Sequence, residues 1–283
     1  MAGNANGNGW ANGSEWEGRT GDSWAVEWRR TDRSFGGLTE QLLRRARDLE
    51  FAQVLDIGCG AGELSLAIAR ARHDAQVIGV DISPQLVEVA RQRGANLANA
   101  TFELGDAARW QPEAGFAPDF LMSRHGVMFF PDPVGAFTHI NRVSAPGARM
   151  LFSCFRGPDV NEIYAGIRNL IPPPAEKPHP HDPGPLAFAD PDRVRSILHA
   201  SGWTKVDFEP CDFAMVAGVG ENPVEDALGY FSAIGPIAVA LAEMSRPDRE
   251  ALRDRLRAYA TQREIDGIVA FAAGAWIVSA VRE

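Results

Sequence analysis

Short apolar runs alternate with amphipathic stretches between residues 54 and 155, and this alternation most constrains what the chain can fold into. Residues 54–57 and 76–80 are apolar runs of strand length, whereas residues 63–72 place apolar side chains at the spacing of one helix face. The same pattern predicts three further strands, at residues 101–104, 119–122 and 149–155. It also predicts two further helices, at residues 83–93 and 133–143. Strands that alternate with helices indicate an α/β fold, a mostly parallel sheet covered on both faces.

The alternation lapses at residues 156–191, where prolines crowd together between positions 172 and 185. That density of proline excludes a regular helix or a central strand, so we expect a linker, a lid or an insertion over a site. Beyond it the pattern predicts a helix, a strand, two helical stretches and a terminal strand, at residues 192–201, 204–209, 224–240, 247–261 and 275–281.

The N-terminal segment changes character at about residue 22. Residues 1–21 carry too little apolar content to form a core, and we expect a flexible tail there. Residues 22–50 contain tryptophans and leucines in helical patterns, which predict a helical lid laid against the remainder. Residues 22–283 are therefore predicted to form one domain. The aromatic residues of the lid suit either closure over a site or the interface of a homodimer.

Composition excludes several classes of partner. The formal net charge of the 283 residues is -9, so no basic field attracts nucleic acid or an anionic membrane surface. The three cysteines are far apart and show no CxxC pair, which argues against a zinc site. Neither a signal-peptide pattern nor a long apolar run is present, and we expect a cytoplasmic protein.

The strongest functional signal is residues 56–62, Asp-Ile-Gly-Cys-Gly-Ala-Gly, between the first strand and its helix. Gly58 and Gly60 leave the backbone open to a ligand at a helix N-terminus. A dinucleotide-binding loop usually reads GxGxxG, whereas this loop reads GxGxG and follows an acidic residue. Asp56 would repel a phosphate, but it would attract the ammonium group of a methionine moiety.

Two later carboxylates fit the same ligand. Asp81 ends the second predicted strand, where its side chain can accept hydrogen bonds from both hydroxyls of a ribose. Asp106 follows the third strand, where it can accept one from an adenine amino group. Ligands bind at such strand ends in open parallel sheets.

These segments carry a resemblance to a known family. Residues 54–62, 80–83 and 105–107 resemble the successive motifs of class I S-adenosylmethionine-dependent methyltransferases, in order and at their usual strand ends. Residues 123–130 and 146–149 are similar to the small-molecule branch that includes the ubiquinone- and menaquinone-biosynthesis-like enzymes. A further pattern of that branch, leading into a helix that closes over the cofactor, is matched by Trp16, Gly18, Gly21, Trp24, Asp32 and Arg33.

The resemblance implies a Rossmann-like sheet of about seven strands, the last antiparallel, that binds S-adenosyl-L-methionine and releases S-adenosyl-L-homocysteine. It implies methyl transfer to a small molecule, natural-product or secondary-metabolite-like, with no metal. The stretch Ser-Arg-His-Gly at 123–126 lacks the Asn/Asp-Pro-Pro-aromatic signature of enzymes that methylate amino groups in DNA. The residues predicted to contact the cofactor are Trp24, Asp56, Gly58, Cys59, Gly60, Asp81, Ile82, Asp106, Ala107 and Ser123.

His125 is the predicted catalytic residue, because it follows a strand end near the expected methyl group. Its imidazole can take a proton from a phenol, hydroxyl or amine as the methyl moves. The alternative is that it packs or caps locally, and methyl transfer needs alignment more than a base. His179, His181 and Asp182 form a weaker pattern, which we interpret as exposed loop residues and not as metal ligands.

Three other functions remain open on the sequence alone. A protein of the same fold can bind the cofactor without transferring its methyl group, since cofactor motifs report binding and not turnover. The sulfonium can also assist a non-methylating reaction. An NAD(P)-dependent oxidoreductase uses a similar sheet, although the GxGxG spacing and Asp56 argue against it.

Overall fold

A computed structural model describes residues 16–173, 179 and 181–283, and within them the strands form one eight-stranded sheet. The strands are β1 (Gln53–Ile57), β2 (Gln76–Asp81), β3 (Ala100–Leu104), β4 (Phe120–Arg124), β5 (Arg149–Phe155), β6 (Trp203–Val219), β7 (Glu264–Ile265) and β8 (Ile268–Arg282). Their order across the sheet is β3-β2-β1-β4-β5-β8-β6, with β7 paired to β8.

Strand direction changes twice across the main sheet, on either side of β8. The first five strands pair in parallel, and β8 runs antiparallel to both β5 and β6. The predicted Rossmann-like sheet, mostly parallel with an antiparallel last strand, is confirmed. The carboxyl ends of β1 to β5 therefore meet at one edge of the sheet.

Ten helices cover the described part of the sheet. They are α1 (Arg19–Val26), α2 (Trp28–Ala46), α3 (Glu63–Ala71), α4 (Pro84–Arg93), α5 (Pro133–Val143), α6 (Glu162–Leu170), α7 (Pro191–Ala200), α8 (Pro223–Ala233), α9 (Gly235–Glu243) and α10 (Arg246–Thr261). No single helix in the described ranges is long and apolar enough to cross a membrane, and only the pair α8 and α9, bent by 71°, passes that test together.

Local sequence explains where the helices begin. The Ser83 side chain accepts a hydrogen bond from the backbone N–H of Leu86, and Pro84 occupies the first turn of α4. Asp132 accepts one from the N–H of Gly135 at the start of α5 in the same way. Such caps satisfy N–H groups that have no partner within the helix. The predicted start of α4 at Ser83 and Pro84 is confirmed.

The packed part of the N-terminal segment begins at a lower residue number than the sequence predicted. Helix α1 begins at Arg19, and Gly21 is buried within it. A Cβ atom on Gly21 would lie 2.2 Å from the Trp16 carbonyl oxygen and 2.3 Å from Ser83 Oγ. Gly21 therefore permits close packing in a stretch whose low apolar content predicted a tail. The tail boundary at residue 21 is wrong for residues 16–21, and residues 1–15 lie outside the described residues.

The C-terminal half also departs from the predicted elements. Strands β6 and β8 extend as a two-stranded arm, since residues 212–219 pair with residues 268–274 beyond the last partner of β5. The helix predicted at 224–240 is broken at Gly235, whose φ is 73°. Helix α6 forms inside the predicted insertion 156–191, before the prolines of residues 172–185.

Candidate active site

A cavity of about 870 Å³ lies at the edge where β1 to β5 end. This volume is near the top of the range of roughly 300–1,000 Å³ for small-molecule sites. The walls come from the strand-end loops, from α1 and α2, and from α6 and α9. Open parallel sheets bind ligands at this edge.

The glycine loop after β1 forms the floor of the cavity. Gly58 and Gly60 have φ values of 65° and 54°, in the left-handed region that favours glycine. A Cβ atom on Gly58 would lie 2.9 Å from the Cα of Gly126, so two loops touch there. A Cβ atom on Gly60 would meet nothing within 4 Å, because that position faces open cavity. The bare backbone at Gly60 thus lets a ligand approach closely.

Asp81 is held against the glycine loop at the end of β2. Its Oδ2 accepts a hydrogen bond from the N–H of Gly60 at 2.8 Å, and its Oδ1 accepts one from the N–H of Ser83 at 2.9 Å. Burial raises the pKa of this carboxyl, and the backbone N–H groups oppose that shift. The carboxylate is therefore fixed in orientation, with lone pairs left for a ligand.

Asp56 lies deeper in the cavity wall, with 1% of its surface exposed. Its Oδ2 accepts hydrogen bonds from the N–H and the Oγ of Ser65, at 3.1 and 2.6 Å. Burial raises the pKa of Asp56 to about 6, against these hydrogen bonds and the nearby charge of Arg124. A cationic ligand group would relieve the cost of burying this charge.

The other predicted cofactor residues divide into two groups. Those that line the cavity are Trp24, Cys59, Ile82, Asp106 and Ala107. Asp106 is exposed at the rim, and its Oδ1 accepts from the N–H of Ala108. Ser123 is outside the set of described residues that line the cavity. It is fully buried, its hydroxyl donates to the Ile57 carbonyl, and it accepts from the N–H of Gly126, so the predicted cofactor contact of Ser123 is corrected to a structural role.

His125 lies in the wall at the end of β4, in a constrained conformation. Its φ of 65° is uncommon for a residue with a side chain, and such outliers cluster at functional sites. The ring stacks on Phe155 at 4.0 Å and meets the edge of Phe35 at 5.4 Å. Nδ1 lies 3.4 Å from Ser153 Oγ, and within the described part of the chain Nε2 is buried without a hydrogen-bond partner.

Burial lowers the pKa of His125 to about 3, and the charge of Arg124 adds to this shift. The imidazole is therefore neutral at physiological pH. A group of such low basicity is a weak proton acceptor. The geometry suits a hydrogen bond to a bound molecule better than the general base that the sequence predicted.

Arg124 is paired with the protein itself. Its guanidinium contacts the Glu63 carboxylate directly, lies 3.7 Å from Asp32, and donates to Thr39 Oγ1 at 2.8 Å. Asp32 in turn binds Arg93 at 2.7 Å. These four charged side chains, which we call the charge cluster (Asp32, Glu63, Arg93 and Arg124), sum to zero. They connect α2, α3, α4 and β4 around the cavity.

Sequence reasoning missed several lining residues, which are Thr31, Phe35, Glu63, Gly235, Val239 and Glu243. Gly235, Val239 and Glu243 are four residues apart and lie on one face of α9. This spacing can be recognised in the sequence, but the sequence does not show which part of the protein that face contacts. The His179–His181 pattern forms a local turn, in which the N–H of His181 donates to Nδ1 of His179.

Comparison with known proteins supports the class that the fold and site define. Residues 50–172 match a family model described as a methyltransferase domain. The resemblance to class I methyltransferases is therefore confirmed.

Two curated relatives carry methyltransferase names. Over 93 residues the chain is 40% identical to a trans-aconitate 2-methyltransferase from Methylobacterium radiotolerans, covering 33% of this chain and 34% of that protein. Over 164 residues it is 27% identical to a demethylmenaquinone methyltransferase from Deinococcus radiodurans, covering 53% of this chain and 67% of that protein. The chain thus spans about a third of the length of the first relative.

A solved structure extends the likeness to the whole fold. Phosphoethanolamine N-methyltransferase 2 of Haemonchus contortus, in complex with S-adenosyl-L-methionine, matches 96% of this chain and 60% of its own chain. The TM-score is 0.55 and the identity is 18%, so this likeness concerns the fold alone.

Proposed function

We propose that this protein transfers the methyl group of S-adenosyl-L-methionine to a small-molecule acceptor, natural-product or secondary-metabolite-like, and releases S-adenosyl-L-homocysteine. The observation that carries the proposal is the fixed Asp81 carboxylate, bonded to the N–H of Gly60 at 2.8 Å in the cavity wall. Asp56 and Asp106 line the same cavity, at the ends of β1 and β3.

The residues present fit the cofactor. Gly60 leaves space for close approach, Asp81 offers oxygens to ribose hydroxyls, and buried Asp56 gains from an adjacent ammonium group. Asp106 at the rim offers carboxylate oxygens to an adenine amino group. When bound, the cofactor supplies an electrophilic methyl group on a sulfonium. Trp24 and Trp28 line the cavity from α1 and α2, where they exclude water from the reacting groups.

Protein residues on the other side of the cavity orient the acceptor. His125, Phe155 and Tyr164 lie at the ends of β4 and β5 and on α6. Alignment of two bound reactants accounts for much of the rate in a displacement of this kind. His125 is proposed to hold the acceptor through Nε2.

Calorimetry with S-adenosylhomocysteine tests the cofactor site. We expect micromolar binding to the native chain, and a loss of at least about a hundredfold in Asp81→Ala, because ribose hydrogen bonds to a buried carboxylate are lost. Asp74→Ala, an exposed carboxylate at the far end of β2, is the matched control and should bind normally. Unchanged affinity in Asp81→Ala would contradict the assignment.

Two further outcomes separate the alternatives. Binding of NADH in place of S-adenosylhomocysteine would favour an oxidoreductase. Binding of S-adenosylhomocysteine without its production from S-adenosylmethionine, across a broad acceptor panel, would favour a cofactor-binding protein or a non-methylating reaction.

A further inference from the structure

The two halves of the cavity differ in chemistry. Because the sheet order is β3-β2-β1-β4-β5, the loops after β2 and β3 lie on one side of the glycine loop and those after β4 and β5 on the other. Asp81 and Asp106 belong to the first side. The second side, here called the acceptor side, carries a continuous row of rings, Phe35, His125, Phe155 and Tyr164.

The acceptor side offers no uncompensated buried cation among the described lining residues. Arg19 and Arg124 are the two arginines of that lining, and no described lysine joins them. Arg19 is exposed on α1. Arg124 contacts Glu63 and lies near Asp32, so its charge is neutralised within the charge cluster. A carboxylate buried on the acceptor side would lose its hydration and meet no buried, uncompensated positive charge among the described lining residues.

One buried polar atom of the acceptor side lacks a hydrogen-bond partner among the described residues. His125 is 8% exposed, and its Nε2 has no hydrogen-bond partner in the described part of the chain. A buried polar atom without a partner costs free energy, and a hydrogen bond from a ligand recovers it. The His125 residue lines the cavity, and its ring is packed between those of Phe35 and Phe155, so the surroundings of this atom are apolar.

We propose that the acceptor of this protein is an electrically neutral aromatic molecule whose hydroxyl or carbonyl group hydrogen-bonds to His125 Nε2. This inference rests on the proposed methyl transfer and specifies its substrate class. The acceptor thus differs in charge from the tricarboxylate in the name of the Methylobacterium radiotolerans relative.

The test compares matched probes on the chain saturated with S-adenosylhomocysteine. Calorimetry with 2-naphthol and with 2-naphthoate at neutral pH presents the same rings without and with a negative charge. We expect 2-naphthol to bind at least about tenfold more tightly, and trans-aconitate not to bind. Equal or tighter binding of either carboxylate overturns the proposal, as does failure of 2-naphthol to bind while S-adenosylhomocysteine is bound. Failure of S-adenosylhomocysteine itself overturns the proposed function instead.

A second measurement tests the reason for the preference. Glu63→Gln removes the carboxylate in contact with Arg124 and should shift the ratio of affinities toward 2-naphthoate by about tenfold. Glu40→Gln, whose carboxylate pairs with Arg44 on the exposed face of α2, is the control and should leave the ratio unchanged. If Glu63→Gln does not fold, Asp32→Asn applies the same test. An unshifted ratio in a folded variant contradicts the role of the charge cluster.

Discussion

Asp56 combines deep burial with an ionisable group, and the cost of that combination is measurable. Burial raises the pKa of Asp56 to about 6, above its value of 3.8 in an unfolded chain. The folded protein therefore loses stability as pH rises from about 4 to about 6, because the unfolded chain releases this proton first. Above pH 6 the loss is about 3 kcal/mol, since one pKa unit corresponds to about 1.4 kcal/mol.

Asp56→Asn should accordingly stabilise the free protein by up to about 3 kcal/mol at pH 7.5, because Asn can still accept the hydrogen bonds from Ser65. The gain should shrink as pH falls toward 4, and S-adenosylhomocysteine affinity should fall. Denaturant unfolding at pH 7.5 and pH 4.5, with Asp106→Asn as the exposed control, measures the effect. A variant less stable than the native chain at pH 7.5 would count against this account.

His125 has the opposite pH dependence. Its pKa in the folded protein is about 3, below the ordinary value of 6.5. Its stabilising contribution is present above pH 6.5 and is lost as pH falls toward 3, because the unfolded chain takes up the proton first.

His125→Phe should therefore lose less stability than the native chain between pH 7 and pH 5, by about 2 kcal/mol. It should also weaken 2-naphthol binding by up to about tenfold while leaving naphthalene binding unchanged, since one neutral hydrogen bond is lost. Urea unfolding and calorimetry check the two parts, with the exposed His199→Gln as control. Identical acid sensitivity of His125→Phe and the native chain would refute the burial argument.

The residues that sequence reasoning located are those whose role follows from strand ends. Asp56 and Asp81 end β1 and β2, and both line the cavity. Ser123 also lies at a strand end, but a position along the chain does not determine whether a side chain faces the cavity or the neighbouring loop. Glu63 could not be found in this way, because its partners on β4 and α2 are distant in sequence.

At the scale of elements, Asp226 of α8 joins α2 to the end of β6. Its carboxylate binds Arg30 and Arg33 of α2, each at 2.8 Å, and accepts from the N–H of Val219 at 3.1 Å. The Asp226 side chain is 20% exposed. Removal of the carboxylate takes one ion-pair partner from each arginine, although Arg30 keeps Glu27 at 2.9 Å and Arg33 keeps the Ala217 carbonyl at 2.6 Å.

Asp226→Ala should destabilise the protein by about 1–3 kcal/mol, since the hydrogen bonds involve charged groups. Glu225→Ala provides the matched control on the same helix, because its ion pair with Arg257 is exposed and should contribute less than about 1 kcal/mol. Denaturant midpoints compare the two variants. Equal effects would show that Asp226 does not join the elements.

Elements were predictable where local chemistry fixes both ends. Ser83 and Pro84 locate the start of α4, and residues 133–143 form the predicted α5. Strand β6 was predicted to end before Pro210, yet it continues because an edge strand tolerates a residue without an N–H donor. The break at Gly235 has a local cause that the prediction of one helix overlooked, because Pro236 has no N–H to continue α8 and instead lies in the first turn of α9.

At the scale of the whole molecule, the cavity joins segments that are far apart in the chain. Trp24 and Phe35 come from the N-terminal helices, Tyr164 from α6, and Val239 from α9. The class of fold follows from the alternation of strands and helices in the first half of the chain. The covering segments do not, since their packing partners are distant in sequence: α2 packs against β6, and α6 packs against β8.

Ligand binding in the cavity should therefore stabilise the helices that line it more than the rest of the molecule. At a ligand concentration of about a hundred times the dissociation constant, S-adenosylhomocysteine should add about 2.7 kcal/mol to the free energy of unfolding. Amide hydrogen exchange should slow most in α1 and α2, whose residues Trp24 and Phe35 line the cavity, and least in α5 and α7, which lie outside its lining. Equal slowing in all four helices would mean that α1 and α2 do not close over the ligand, and an equal effect of NADH would remove the cofactor assignment.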